Sequence, residues 1–243
     1  EIFMTRYYCQ DHPFEFNLQA KVLATEPGRL LLDRSPFFPG GGGQLADRGV
    51  LVGDAGSTTV SGVEIAPDGV WHFIETPVNN TDTVEIRVDE YHRNLQSELH
   101  TLAHIVNAVV FQAFDGALLT GAQLHDNGTL RIDFDLPGVD NDRLRALEAP
   151  INEAAQADHQ VTTHWMSWDE AEAEPGLFRA KFAAPPKGEH GMVRVVQIGE
   201  LDRQTCGGTH VASTASCRPV RIMKIENKGR QNRRLRVGIA EMA

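Results

Sequence analysis

Four side chains in this sequence have the types and placement to hold a metal ion: His100, His104, Cys206 and His210. The two histidines stand four apart in a segment of helical periodicity, so both imidazoles leave one face about a turn from each other. Far downstream, Cys206-Gly207-Gly208-Thr209-His210 sets a thiol and an imidazole around two glycines, which let the backbone turn closely about an ion. Thiolate and imidazole are donors that zinc prefers. Alone, a histidine pair on an apolar helix reads equally well as a satisfied pair in a core, and it is the second motif that tips the balance. Structural zinc sites usually draw their ligands from close pairs within one small unit. These pairs are separated by most of a domain, which suits a cleft. His100 is followed by Thr101 rather than the glutamate of His-Glu-x-x-His, which disfavours zinc-protease chemistry.

The elements that must position these residues can be read from periodicity. Leu95, Leu99, Leu102, Ala103, Ile105, Val106, Val109, Val110 and Phe114 recur at helical spacing after Asp89, a suitable N-cap, which predicts a long buried helix carrying both histidines. From residue 14 to about 88 the pattern is short alternating runs broken by Gly, Pro, Asn and Asp, as in a small antiparallel sheet or barrel. Beyond the helix, residues 130–134 alternate like a strand, and 141–157 place Leu144, Leu147, Ile151 and Ala155 on one helical face. Strand-like runs at 192–198, 219–225 and 235–239 supply a sheet for the helices. The expected class is α+β in two domains: 4–88, a small antiparallel β-barrel, and 89–243, an α/β domain holding the metal residues. Residues 1–3 precede Met4 and are set aside.

Composition narrows the functional classes. Of 243 residues, 41% are hydrophobic and 7% aromatic, which is ordinary for a globular protein. With no stretch of about 18 apolar residues and no secretory pattern, a cytoplasmic location without a membrane partner is expected. Cys9, Cys206 and Cys217 cannot all pair with one another, and reduced thiols are expected. A formal net charge of −10 argues against a surface that grips nucleic acid throughout. One basic cluster stands out, with Arg221, Lys224, Lys228, Arg230, Arg233, Arg234 and Arg236 in a single late segment. Alone it reads equally as a solvated charged face.

Two further stretches bring a family into view. The run from Arg93 to His104, with its His-Thr-Leu-Ala-His core, together with Cys206-Gly207-Gly208-Thr209-His210, resembles the editing domain of alanyl-tRNA synthetase. Phe38-Pro39-Gly40-Gly41-Gly42-Gly43-Gln44, followed by Asp47 and Gly49, resembles the glycine-rich motif that precedes that domain. A glycine run alone is weak evidence, but in this order and company it is specific. Related editing folds of threonyl-tRNA synthetase share the separated His/His and Cys/His pairs. The glycine motif selects the alanyl branch. The resemblance covers nearly the whole chain with no aminoacylation module left over, so the medium-length free-standing form is expected.

The resemblance implies a fold of the threonyl/alanyl-tRNA synthetase second additional domain type. It also implies an aminoacyl-tRNA deacylase that hydrolyses mischarged tRNA(Ala), chiefly seryl-tRNA(Ala), with glycyl-tRNA(Ala) left open. Zn2+ would be held by His100, His104, Cys206 and His210. Four protein donors fill a tetrahedron, so either the ion becomes five-coordinate or one ligand is loose at rest. Thiolate donation dulls Lewis acidity, which favours positioning of ester and water over strong activation. Thr120, Gly121 and Gln123 match the family's pocket segment. Thr120 corresponds to a position that is threonine in short free-standing relatives and looks like a glutamine in the synthetase. A hydroxyl there would hydrogen-bond serine's extra oxygen, which discriminates better than size alone. Gly42, Gly43 and Gln44 would form a mobile loop over the pocket, and Asp202 would orient a ligand histidine or the substrate amine. Lys224, Lys228, Arg230, Arg233 and Arg234 would meet the acceptor stem through its phosphates and 2′-hydroxyls.

Two other readings stand beside this one: a non-catalytic zinc-stabilised tRNA-binding module, and an editing fragment of a full alanyl-tRNA synthetase. The sequence leaves the oligomeric state undetermined, with a monomer favoured.

Overall fold

The computed structural model describes residues 7–54, 56–78, 82–182 and 191–240. Residues 1–3, set aside above, lie outside these. The chain forms two compact units. One comprises residues 1–41 and 45–95, the other 42–44 and 96–243.

The first unit is built on a closed antiparallel barrel. Its strands are β1 (Asn17–Glu26), β2 (Arg29–Leu32), β3 (Gly49–Gly53), β4 (Gly56–Ala66), β5 (Gly69–Ile74) and β6 (Thr83–Val88), in the order β1-β2-β5-β4-β3-β6. Alternation sends one face of each strand inward: in β6, Val84, Ile86 and Val88 are buried, and they join Leu18, Leu30, Leu32 and Leu51 in the core. A short helix, α1 (Tyr8–Asp11), precedes the barrel. Asp47 of the glycine-rich motif is buried here. It forms an ion pair with Arg93 and accepts the Phe38 N–H at 2.6 Å, while Arg93 also donates to the Pro36 carbonyl at 2.6 Å. A Cβ at Gly49 would press on the Phe37 ring at 2.8 Å. The motif's aspartate and its last glycine, Gly49, are thus engaged in packing.

The long helix α2 (Glu90–Ala113) starts at Asp89, whose Oδ1 accepts the His92 N–H at 3.1 Å. It ends at Asp115 and Gly116, both with positive φ, where the Gly116 N–H closes back on the Phe111 carbonyl at 2.8 Å. Every residue from 95 to 110 is buried. The helix therefore encloses Gln96, Ser97, Glu98, His100, Thr101, His104 and Asn107 as well as its leucines, and each buried polar group must find a partner.

Two antiparallel sheets complete the second unit. The larger has the order β12-β13-β8-β7, from β7 (Leu119–Leu124), β8 (Thr129–Asp135), β12 (Val220–Lys228) and β13 (Asn232–Ile239). The smaller, β11-β10-β9, is made of β9 (Val161–Ser167), β10 (Met192–Ile198) and β11 (Asp202–Thr205). The helical stretch expected over 141–157 is two helices, α3 (Asn141–Arg145) and α4 (Glu148–Ala155). Pro150 explains the break: its ring would meet the carbonyl four residues back in a continuous helix, whereas a helix starting at Glu148 places it in the first turn. Helix α4 is tied to β12 through Asn152, which exchanges hydrogen bonds of 2.8 and 2.9 Å with the Val220 backbone. Helix α5 (Trp168–Ala173) packs on β9 and β10. Among the described residues no helix is long and apolar enough to cross a membrane.

Candidate metal centre

Helix α2 and the turn after β11 bring His100, His104, Cys206 and His210 together, with one candidate donor atom from each lying within 4.8 Å of the others. Cys206 Sγ stands 3.4 Å from His100 Nε2 and 3.5 Å from His210 Nε2. A tetrahedral ion with bonds of about 2.0–2.3 Å separates its ligands by roughly 3.5 Å, so these spacings and this donor set fit zinc. The imidazoles are buried, with ring centroids 4.6 Å apart for His210 against each of the other two.

The cysteine turn is held by Arg194, whose Nη1 donates to the carbonyls of Cys206 at 3.0 Å and Gly208 at 2.8 Å. Gly208 is required sterically, since a Cβ there would run into the His100 ring. Its N–H points at Cys206 Sγ at 3.4 Å. Burial works against the Cys206 thiolate. The His100 and His104 imidazoles, by charge and hydrogen bond, nevertheless hold the thiol well below its ordinary value. The deprotonated donor that a metal requires is thus already favoured. Burial, with His100 adjacent, pushes His210 down to about 3. For His104 burial also opposes protonation, but Cys206 and Asp202 prevail and raise it to about 9.

Each of the three imidazoles has an outer neighbour at Nδ1. His210 Nδ1 lies 3.1 Å from Thr101 Oγ1, whose hydroxyl proton goes to the Ser97 carbonyl at 2.9 Å, so Thr101 accepts from His210 and leaves Nε2 free to ligate. His104 Nδ1 faces Asp202 Oδ2 at 3.3 Å, an ion-pair contact tipped off hydrogen-bond alignment. His100 Nδ1 meets Gln44 Oε1 at 2.8 Å. Asp202 is itself surrounded: Arg179 Nη2 lies 3.2 Å from Oδ1, and Gln204 donates to Oδ2 at 2.7 Å. Asn107 in turn donates to Gln204 at 3.3 Å. Arg179, stacked 3.8 Å over the Phe111 ring, carried no signal in the sequence, and neither did Gln204 or Asn107.

The other expected site residues fall in two places. Thr120 occupies a β-bulge between Leu119 and Gly121 where β7 pairs with β8, and bulges re-aim side chains. Its Oγ1 is buried and has no hydrogen-bond partner among the described residues. The loop at 42–44 lies along this strand: Gly43 O accepts from the Leu124 N–H at 2.8 Å and from Gln123 Nε2 at 3.3 Å. A Cβ on Gly43 would sit 2.6 Å from Ala122 O. Gln44 is buried, bonded to His100 and Thr209.

The basic residues lie on the β12–β13 hairpin, away from one another in role. Lys224, Lys228 and Arg230 are exposed, the two lysines lying 3.4 and 3.7 Å from Glu226. Arg234 forms a two-point pair with Asp133 at 2.7 and 2.8 Å. Arg233 is buried and donates to the carbonyls of Val139 and Asn232, both at 3.2 Å, so its guanidinium is committed to the fold.

Comparison with known proteins converges on one family. Residues 193–236 match the family described as threonyl and alanyl tRNA synthetase second additional domain, and residues 11–92 match the class II (A) tRNA synthetases. The alanine–tRNA ligase of Methanothrix thermoacetophila is 32% identical over 216 residues, 88% of this chain but 23% of the ligase. The chain thus spans about a quarter of the length of such ligases. The alanyl-tRNA editing protein AlaX-M of Methanosarcina acetivorans is 32% identical over 222 residues, 87% of this chain and 89% of that protein. Its counterpart in Methanosarcina mazei is 31% identical over 249 residues, 98% and 96% of the two chains. Both matches cover most of each chain, and the chain belongs to the alanyl-tRNA editing protein family.

Proposed function

We propose that this protein deacylates mischarged tRNA(Ala) in trans, with seryl-tRNA(Ala) as its principal substrate and Zn2+ as its metal. The observation that carries the reading is the cluster of one thiol and three imidazoles whose ring nitrogens have separate outer partners, joined to family membership. Residues 4–88 are assigned to the barrel domain and 89–243 to the deacylase domain.

His100, His104, Cys206 and His210 would hold the ion, which when bound would position the ester and its water rather than act as a strong Lewis acid, since the Cys206 thiolate dulls its acidity. The chain's own residues do the rest. Asp202, Thr101 and Gln44 keep the three imidazoles oriented. Thr120, with Gly121 and Gln123 on the same strand, would receive the aminoacyl side chain, the buried Thr120 hydroxyl, which has no hydrogen-bond partner among the described residues, pairing with serine's hydroxyl and offering nothing to alanine's methyl. Gly43 lets backbone lie close beside that strand, and Gly42, at positive φ, shapes the turn that leads into it. Lys224, Lys228 and Arg230 would present positive charge to the acceptor stem, with Arg234, paired to Asp133, beside them and Arg233 holding the hairpin from within. Binding through phosphates makes tRNA affinity fall with salt.

The test is hydrolysis of seryl-, glycyl- and alanyl-tRNA(Ala), each with and without a metal chelator. The reading requires rapid, chelator-sensitive loss of serine and sparing of alanine. Failure on all three substrates overturns it in favour of a zinc-stabilised tRNA-binding module.

A further inference from the structure

We infer that Gln44 is a positioning residue of the metal centre, fixing the tautomer of His100 so that Nε2 is the atom presented to the ion. The inference rests on the metal reading above but concerns a residue that chain topology would otherwise assign to a loop over the substrate.

The hydrogen-bond network dictates the assignment. Gln44 Oε1 lies 3.0 Å from the Thr209 backbone nitrogen and 2.8 Å from His100 Nδ1, while Gln44 Nε2 lies 2.8 Å from Thr209 Oγ1. A backbone N–H can only donate, so the carboxamide atom facing Thr209 N must be the oxygen, and the amide cannot be flipped. That same oxygen faces His100 Nδ1. Two groups can share it only if both donate, so Nδ1 carries the proton and Nε2 carries the lone pair, 3.4 Å from Cys206 Sγ. Thr209 is locked in its turn by Ser97 Oγ at 2.8 Å, one turn before His100 on the same helix. Gln44 itself is 3% exposed, so this carboxamide is already spent and is not held in reserve for a ligand.

The glycines around it make the approach possible. Gly208 leaves room for the His100 ring and, a Cβ there lying 2.7 Å from it, for Gln44 Oε1. Gly43 brings its backbone to within a Cβ's width of Ala122. A side chain at position 208 would press on both the glutamine and the imidazole.

Three measurements test the inference. In the zinc-loaded wild-type protein, nitrogen NMR of His100 should show a protonated Nδ1 and a metal-bound Nε2, and Nδ1 ligation would overturn the assignment outright. Zinc affinity should then be compared by competition with a chromogenic chelator. Gln44→Leu, which keeps the volume but removes the acceptor, should bind zinc about 10–100-fold more weakly. Gln44→Glu, which keeps an oxygen for both N–H groups, should stay within a few-fold of wild type, and it serves as the comparison if the leucine variant folds poorly. Finally, saturating zinc should restore deacylation to Gln44→Leu. Unchanged zinc affinity with deacylation that stays low at saturating zinc would make Gln44 a substrate contact and overturn the inference. Zinc affinity and tautomer are read without tRNA, so they stand or fall separately from the proposed activity.

Discussion

The Asp202 carboxylate lies 3.3 Å from Nδ1 of His104, with both side chains buried. A carboxylate behind a ligand imidazole fixes the ring and strengthens its donation, and removal of such partners typically weakens metal binding about 10–100-fold. Asp202 also balances Arg179, whose side chain is 11% exposed. Asp202→Ala should therefore lower zinc affinity by that factor and destabilise the protein by about 3–5 kcal/mol, because Arg179 is left buried without its counter-charge. Chelator competition and urea unfolding measure the two effects. Wild-type values in both would remove Asp202 from the centre.

The glycine-rich motif also carries a purely structural member. Asp47 pairs with Arg93 inside the first unit, where the side chains are 0% and 1% exposed. Asp47→Ala should cost about 3–5 kcal/mol in unfolding free energy, since it strands a buried guanidinium. Zinc affinity of the folded fraction should not change. A variant that loses zinc but keeps its stability would show that the aspartate serves the metal instead.

Stability should fall on mild acidification through His72. Its Nε2 accepts from the Ser35 hydroxyl at 2.8 Å, the hydroxyl oxygen itself accepts the Phe37 N–H, and Nδ1 donates to the Val70 carbonyl at 3.1 Å. Burial pushes its pKa down to about 4 from the ordinary 6.5, against smaller opposing effects of backbone hydrogen bonds. Between those values the unfolded chain takes up a proton that the folded chain refuses, so this contribution is whole above pH 6.5 and is lost as pH falls toward 4. The loss is about 3 kcal/mol across the window. Proton NMR should find the His72 ring titrating near 4, and titration near 6.5 would contradict the assignment.

Thr120→Val keeps the shape of the bulge residue and removes its hydroxyl. If that hydroxyl selects serine, the ratio of kcat/KM for seryl- over alanyl-tRNA(Ala) should fall by about 10–100-fold, with zinc content unchanged. Full retention of the preference would assign selection to another group.

Much of the centre could be picked out from sequence because its signals are local. The i, i+4 spacing of His100 and His104 and the glycines inside Cys206–His210 express geometry over a few residues, as do the alternation in β6 and the Asp89 cap. What escaped depends on partners far apart in the chain. Gln44 looks like part of a mobile loop until the Thr209 N–H, 165 residues away, is placed against it. Arg179 sits in a segment without periodicity, and only the fold brings Asp202 to it. Arg233 and Arg230 are alike in composition, yet strand register turns one inward and the hairpin turn leaves the other exposed. Pro150 is the counter-example: a local signal that the helical periodicity of Leu144, Leu147 and Ile151 masked.

Counting the serine molecules released from seryl-tRNA(Ala) per bound zinc under multiple-turnover conditions separates a zinc-dependent deacylase from a binding module. The predicted result is many turnovers per zinc, abolished by a chelator and by His104→Ala, and recovered in the chelated wild type when zinc is returned. Tight tRNA binding with no release of serine, or undiminished release from metal-free protein, would contradict it.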